Sequence, residues 1–250
     1  MYSATVLITA AFLAVTGVLG QNTTVECAKG LKMFVSRGTG EPMGLGATGA
    51  LVDVIAEQIN GSDIEAIEYP ATEDDPVYFF SAANGTILVK QAITNYAIAC
   101  PGSKMAVFGY SQVRACNDPA VNAHADRVLQ VVSVVLFGDP SHRGDATYNY
   151  GNSTGSGIFW RHDISACEAM GSRIRSYCDS GDQFCSVGPD ANALTHVTYL
   201  RRHSSDIARF VVDQYNNGGA SNESDVADPS PTTGLVTVKA PDSSDRLFKE

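Results

Sequence analysis

The sequence predicts an α/β fold in which helices cover a parallel sheet. Short apolar runs alternate along the chain with longer amphipathic segments, a pattern typical of successive β-α units. The 250 residues, of which 44% are hydrophobic and 18% charged, suffice for one domain with a sizeable core. The same composition excludes collagen-like, wholly disordered and polytopic membrane proteins.

Five short apolar runs are predicted to be strands. Their length and apolar character favour buried strands over helices. In chain order they are Leu31–Ser36, Ile64–Tyr69, Met105–Tyr110, Val131–Phe137 and Ile174–Cys178.

Three longer segments between or after these runs are predicted to be helices. In Ala47–Asn60 apolar residues recur at helical spacing, and Ile87–Ala99 shows the same recurrence. A last helix, about Ser204–Asn216, places its apolar residues on one stripe. We assign these stripes to the core.

The two ends of the chain have a different character from the middle. Residues 4–19 are uncharged and mostly apolar, which predicts a secretory signal peptide over residues 1–20. A membrane anchor is the alternative, but the run is shorter than the ~20 residues that a spanning helix needs. Residues 218–250 contain few large apolar side chains, so we predict a disordered tail, with a linker or part of an anchor signal as alternatives. Residues 21–217 are then the folded domain.

The cysteines and the N-glycosylation sequons support the prediction that the protein is secreted. Five N-x-S/T sequons begin at Asn22, Asn60, Asn84, Asn152 and Asn222. Six cysteines favour disulfides in an oxidising compartment, although they allow 15 pairings. A bridge across the short loop Cys178–Cys185 is the easiest, and Cys27 and Cys100 each flank an apolar run, which would leave Cys116 with Cys167. No C-x-x-C pair occurs in the sequence and the histidines lack ligand spacing, so zinc is disfavoured.

The charge balance is acidic. With 17 Lys+Arg against 27 Asp+Glu, the formal net charge is −10 and the sequence pI is about 4.9. Such a field repels polyanions, and no basic run opposes it. Nucleic acid is therefore an unfavourable partner.

The third predicted strand ends in Gly109-Tyr110-Ser111-Gln112, the most informative motif of the chain. A serine on a sharp turn from strand to helix, a nucleophile elbow, exposes its hydroxyl, and the N–H of the next residue points toward the same space. A G-x-S sequence is common by chance, but the preceding strand favours a nucleophile. Such a serine requires a carboxylate and a histidine downstream, in that order.

Asp182 and His196 supply these groups in the expected order. Asp182 lies in the loop CDSGDQFC, at the carboxyl end of the last predicted strand, where ligand sites of parallel sheets collect. His196 follows just before the last predicted helix, and His203 is a competing base. Three histidines precede Asp182 and break the order: His124, His142 and His162. Each residue alone would be unremarkable, but together with the elbow they indicate a serine hydrolase.

These residues resemble the secreted fungal cutinases and acetylxylan esterases of carbohydrate esterase family 5. The resemblance spans roughly Cys27–Tyr215. Its motifs are Arg37-Gly38-Thr39-Gly40-Glu41, Tyr69-Pro70-Ala71, Cys100-Pro101, the GYSQ elbow, Phe137-Gly138-Asp139-Pro140, the CDSGDQFC loop and T-H-x-x-Y at Thr195–Tyr199.

The resemblance implies a three-layer α/β-hydrolase fold with a five-stranded parallel sheet, helices on both faces and an open active site. It implies that Ser111 is the nucleophile, His196 the base and Asp182 the group that orients it. The backbone N–H groups of Thr39 and Gln112 would form the oxyanion hole. The resemblance further implies a secreted monomer that needs no metal or cofactor and acts on plant cell-wall esters.

One segment departs from the family pattern. Family members usually continue GYSQ with glycine and a helix, whereas here Val113–Pro119 follows and the stretch is several residues short. A valine two places after the serine would overpack the elbow by ~1–3 kcal/mol. Either the elbow tolerates it, or the chain is a splice or annotation variant, or activity is lost. The alternative function is thus a catalytically impaired secreted protein that binds wall polymer or a partner.

The sequence leaves the substrate open between cutin and acetylated xylan. Leu194 and Val197 bracket His196 and could form an apolar rim for acyl chains, as in cutinases. Gly138-Asp139-Pro140 and the Cys116/Cys167 pair look more like the acetylxylan esterases. The loop TEDDPVYFF after Ala71, however, lacks the extra cysteines of that branch.

Overall fold

The computed structural model describes residues 25–112 and 130–217, which are built around one parallel sheet. Within these residues the sheet has six strands in the order β2-β1-β3-β4-β6-β5, and every pairing is parallel. The strands are β1 (Leu31–Ser36), β2 (Asp63–Ala66), β3 (Lys104–Tyr110), β4 (Val131–Phe137), β5 (Asn149–Tyr150) and β6 (Ile174–Tyr177).

In the described residues, helices lie between some of the strands and follow the last of them. They are α1 (Gly49–Gln58), α2 (Tyr78–Ala99), α3 (Ser165–Glu168), α4 (Ala193–His196) and α5 (Tyr199–Asn217), with 3-10 turns at Gly46–Thr48 and Gly171–Arg173. This architecture is the predicted α/β fold with helices packed on a parallel sheet.

The sheet has one strand more than predicted. β5 has only two residues, which pair with Ser176 and Tyr177 of β6 at the edge of the sheet. A two-residue strand is too short to produce a recognisable apolar run, so the expectation of five strands is corrected to six. β2 also ends at Ala66, three residues before the predicted end at Tyr69.

The second helix begins nine residues earlier than predicted, at Tyr78 instead of Ile87. Its first turns carry two exposed aromatic residues, Phe79 and Phe80, while small residues such as Ser81 and Ala82 are buried. Because small side chains face the core and large ones face solvent, the periodicity of large apolar residues does not reveal this part of the helix.

Two apolar clusters lie on opposite faces of the sheet, because successive side chains of a strand point to opposite sides. In β1, Met33 packs in the cluster with residues of α1 and α5, and Phe34 packs in the cluster with residues of α2. β1 and β4 are buried along their whole length. Such two-sided burial favours strands that are mostly apolar, and the polar exceptions, Lys32, Ser36 and Ser133, are buried as well.

Disulfides link the loops to this core. Cys27 is bonded to Cys100, at the end of α2, and Cys178 to Cys185, across the loop after β6. Cys167 is also disulfide-bonded, but its expected partner Cys116 lies outside the described residues.

Several sequence predictions fall outside the described ranges: the signal peptide over residues 1–20, the tail over residues 218–250, the segment Val113–Pro119, His124, Asn22 and Asn222. The remaining sequon asparagines, Asn60, Asn84 and Asn152, are exposed.

In the described part of the chain, no helix has the length and apolar character needed to cross a membrane. A search of the same part finds no group of three or more His, Cys, Asp or Glu side chains suited to a metal.

Candidate active site

The turn after β3 presents Ser111 at the carboxyl edge of the sheet. Ser111 has a positive φ of 59°, and its N–H donates to the carbonyl of Phe137 at the end of β4 (3.0 Å). A non-glycine residue in the left-handed region is strained, and such strain concentrates at functional sites. The Gln112 N–H donates to the Tyr110 carbonyl (2.8 Å), which closes a tight three-residue turn around the serine.

His196 lies beside this serine. Its Nε2 is 3.1 Å from Ser111 Oγ, although the two residues are 85 positions apart in the chain. The imidazole stacks on the Tyr110 ring, with centroids 5.4 Å apart, and Phe184 meets it edge-on at 4.6 Å. The phenol of Tyr110 also donates to the His196 carbonyl (3.0 Å). Ring and backbone are thus held by the strand that precedes the serine.

The histidine is carried by the single turn of α4, which is tied to the loop after β6. Asn192 caps this turn, since its Oδ1 accepts the Thr195 N–H (2.9 Å). The N–H of Asn192 donates to the Gly181 carbonyl, at 2.7 Å. One asparagine therefore fixes the loop of Asp182 against the helix of His196.

Gly138 leaves room for the imidazole. It follows β4 with a φ of 62°, and a Cβ at this position would lie 2.7 Å from His196 Cε1 and 2.9 Å from Nδ1. Glycine is required here both for its backbone conformation and for the close approach of the ring.

Asp182 is fully buried and accepts four hydrogen bonds. Its Oδ2 accepts from His196 Nδ1 (2.8 Å) and from the phenol of Tyr199 (2.7 Å). Its Oδ1 accepts the N–H groups of Phe184 (2.7 Å) and Cys185 (3.1 Å). Burial by itself would raise the pKa of Asp182, but the hydrogen bonds and the charge interaction with His196 outweigh burial and hold that pKa below its usual value.

The neighbours of His196 define its tautomer. An ionised Asp182 can only accept, so Nδ1 carries the proton and Nε2 presents its lone pair to Ser111. This is the protonation state that a general base for the serine hydroxyl needs.

The competing base His203 lies elsewhere. Its Nε2 is 2.9 Å from Asp179 Oδ2, an oxygen that Arg202 also contacts at 2.9 Å. His142 is buried and its Nδ1 lies 3.3 Å from Ser176 Oγ. Among the described histidines, the structure therefore brings His196 to Ser111.

The loop that carries Thr39 is held from two sides. Arg37 donates to the carbonyls of Glu41 (3.0 Å) and Tyr69 (2.6 Å). The carboxylate of Glu41 accepts the Gly38 N–H (2.6 Å). This network fixes the short loop at the end of β1, and Thr39 lines the same cleft as Ser111.

The cleft has a volume of about 910 Å³. Its apolar lining comes from Tyr78, Tyr110, Pro140, Ile158, Phe159, Phe184 and Val197, and its carboxylates are Glu41, Glu73, Asp74 and Asp75. No lysine or arginine belongs to the lining that the described residues form. Of the two residues predicted to form an apolar rim, Val197 lines the cleft and Leu194 is exposed outside it.

Three features of the site were not predicted from the sequence. Tyr199 and Gly138 lie within the family motifs, but nothing in the sequence indicates that Tyr199 contacts Asp182 or that Gly138 contacts His196. The Arg37–Glu41 network likewise lies in a quoted motif. The opposite charges of Arg37 and Glu41, four residues apart in a loop, are the signal that could have indicated this network.

Comparisons with known proteins identify the family. The family model described as Cutinase matches residues 27–215. The chain is 30% identical over 238 residues to an acetylxylan esterase of Hypocrea jecorina (86% of this chain, 78% of the relative), and 31% identical over 210 residues to cutinase 11 of Verticillium dahliae (76% and 70%). The solved catalytic core domain of an acetylxylan esterase from Trichoderma reesei superposes with a TM-score of 0.68 at 27% identity, covering 76% of this chain and 100% of that one. The chain therefore belongs to the cutinase family of carboxylic ester hydrolases.

Proposed function

We propose that this protein is a secreted serine esterase that hydrolyses carboxylic esters of plant cell-wall polymers, cutin or acetylated xylan. One observation carries the proposal: Ser111 Oγ, the His196 imidazole and the Asp182 carboxylate form a continuous hydrogen-bonded series of 3.1 and 2.8 Å. Relatives named cutinase and acetylxylan esterase support the substrate class. The disulfides and the exposed sequons support export through the secretory pathway.

The proposed reaction passes through an acyl-enzyme. His196 Nε2 takes the hydroxyl proton while Ser111 Oγ attacks the ester carbonyl carbon, and Asp182 stabilises the imidazolium that forms. The tetrahedral intermediate collapses, the bond to the alcohol oxygen breaks, and the imidazolium returns its proton to the leaving alcohol. Water then attacks the acyl-serine by the same proton transfers and releases the carboxylic acid.

The N–H groups of Thr39 and Gln112 are proposed to bind the oxyanion. In the free protein the Gln112 N–H donates to the Tyr110 carbonyl across a three-residue turn. A turn of this kind with a positive φ at its centre is strained. Because a charged oxygen is a stronger acceptor than an amide carbonyl, the developing oxyanion would draw this N–H toward itself. Such a donor typically contributes ~3 kcal/mol to the transition state.

Ester hydrolysis tests the proposal. The substrates are p-nitrophenyl acetate, butyrate and a longer homologue, and a fluorescent organophosphonate reports on the serine. Turnover confined to acetate supports an acetylxylan esterase, and turnover of longer chains supports a cutinase. Folded, disulfide-bonded protein that neither turns over these esters nor reacts with the phosphonate would contradict the proposal and favour the catalytically impaired binding protein.

The acidic lining predicts a preference for neutral acyl groups. Four carboxylates without a lysine or arginine in the described lining should repel an ester whose acyl chain is itself anionic. We expect the ratio of kcat/KM for p-nitrophenyl butyrate to kcat/KM for p-nitrophenyl hemisuccinate to be about fivefold larger at low salt than at ~1 M salt. Salt reduces the ratio because Glu73, Asp74 and Asp75 are exposed, so their charges are screened.

A pair of double variants checks this electrostatic origin. Glu73→Gln/Asp75→Asn should reduce the discrimination at low salt. Asp53→Asn/Glu57→Gln makes the same change in net charge on exposed residues of α1 that do not line the cleft, and should leave the discrimination unchanged. Equal effects of the two double variants would show that net charge, rather than the cleft, is responsible.

A further inference from the structure

We propose that Tyr199 is a positioning residue that sets the acid side of the pH–activity profile through the Asp182 carboxylate. Its phenol donates to Asp182 Oδ2, the same oxygen that faces His196 Nδ1. The inference rests on the proposed roles of Ser111, His196 and Asp182. It adds a second donor that competes with the imidazole for one carboxylate oxygen.

The direction of the phenol proton follows from its surroundings. Tyr199 is 1% exposed, and its oxygen accepts the Asp179 N–H (3.0 Å). Two acceptors remain near the O–H group: Asp182 Oδ2 at 2.7 Å and Cys185 Sγ at 3.2 Å. Cys185 is bonded to Cys178, so its sulfur carries no proton and is a weak acceptor. The carboxylate therefore receives the phenol proton.

The consequence for His196 is electrostatic. Hydrogen bonds to an ionised acceptor withdraw charge from it, so the phenol weakens the attraction of Asp182 for the imidazolium. Burial and the charge of Asp182 raise the pKa of Tyr199, so the phenol remains a donor throughout the working pH range. With this bond in place, Asp182 stabilises the imidazolium less, so Nε2 is available as a base in more acidic medium.

The groups in direct contact with the pair are neutral or paired, and the remaining charges near His196 are the cleft carboxylates, Glu41, Glu73, Asp74 and Asp75. Tyr110, against the imidazole, is neutral because burial raises its pKa to about 12, and Ser111 and Phe184 carry no charge. On the side of Tyr199, the Asp179 carboxylate is paired with Arg202 and faces His203. Burial lowers the pKa of His142, which interacts with Asp182 at longer range, and so favours its neutral form. Glu41 acts on Tyr110 from the other side of the cleft.

Tyr199→Phe tests the proposal, with Tyr177→Phe as the matched control. Tyr177 is also 1% exposed, and its phenol donates to another carboxylate, Asp206 Oδ2, at 2.7 Å. We measure kcat and KM for p-nitrophenyl butyrate from pH 4 to 9. Tyr199→Phe should move the acid midpoint of kcat/KM upward by about half to one pH unit, since a hydrogen bond to a charged group is removed. Tyr177→Phe should leave the midpoint unchanged.

Replacing Tyr199 by 3-fluorotyrosine should shift the acid midpoint of kcat/KM in the opposite direction. This side chain keeps both hydrogen bonds and is a stronger donor, so the acid midpoint should move to lower pH. It also preserves the bond from the Asp179 N–H, and so serves if Tyr199→Phe does not fold. A midpoint that moves in neither variant, or moves equally in Tyr177→Phe, would overturn the proposal.

A second measurement separates the role proposed for Tyr199 from the proposed esterase activity. NMR titration of the His196 imidazole measures the shift of the pH midpoint directly, with no substrate present. If the imidazole titration shifts but no ester is hydrolysed, the link from Tyr199 to His196 holds and the esterase proposal fails. If esters are hydrolysed but neither titration nor midpoint shifts, only the role of Tyr199 is refuted.

Discussion

Ser111→Ala is expected to lower kcat for p-nitrophenyl butyrate by about 10⁴- to 10⁶-fold, the range found when a triad member is removed from a serine hydrolase. Without Oγ there is no nucleophile for His196 to activate. Initial rates of purified protein measure the loss, and Ser205→Ala, an exposed serine of α5, is the control that should keep full activity. A Ser111→Ala variant with more than a tenth of the activity would exclude Ser111 as nucleophile.

Thermal unfolding of variants at the same position separates strain from catalysis. Alanine retains the unfavourable φ of 59° that serine adopts, whereas glycine adopts it without cost. Ser111→Gly should therefore be inactive but more stable than Ser111→Ala by about 1 kcal/mol. Equal stability of the two variants would argue that the turn relaxes when the side chain is removed.

Gly138→Ala should lower kcat by about 100-fold, because displacement of a catalytic group by ~1 Å can cost this much. The new Cβ would lie 2.7 Å from His196 Cε1 and 3.1 Å from the Tyr199 ring, so the imidazole must leave the position in which it contacts Ser111. KM should change less than kcat, since the clash displaces the imidazole and not the apolar and acidic side chains that form most of the cleft lining. Steady-state kinetics with p-nitrophenyl butyrate measures both.

Gly171→Ala is the control for the free-energy cost of placing a non-glycine residue in the left-handed backbone conformation. Gly171 has a similar φ of 53°, but a Cβ there meets nothing within 4 Å. Both variants should lose about 1 kcal/mol or more of stability from the left-handed conformation, and Gly138→Ala should lose more because of the contact. If Gly138→Ala retains the kcat of Gly171→Ala, the imidazole tolerates the methyl group and its position is less constrained than the structure indicates.

Most of the sheet could be predicted from local sequence. The observed bounds of β1 and β4 are the predicted ones, because strands buried on both faces are mostly apolar, with Lys32, Ser36 and Ser133 as the polar exceptions. Prediction failed where large side chains face solvent, at the start of α2, and where a strand has two residues, as in β5. In both places tertiary contacts, not periodicity, define the element.

The sequence by itself determined the fold class, the elbow serine and the order in which a carboxylate and a histidine follow it. These properties depend on short-range patterns of burial and on one local turn. The family resemblance implies His196 as the base, and the structure shows that it, rather than His203, reaches Ser111. Only the tertiary structure decided that Gly138 makes room for its ring and that Tyr199 shares Asp182 with it. Those contacts join loops after different strands, and the distance between such loops depends on strand order and helix packing, which no local pattern specifies.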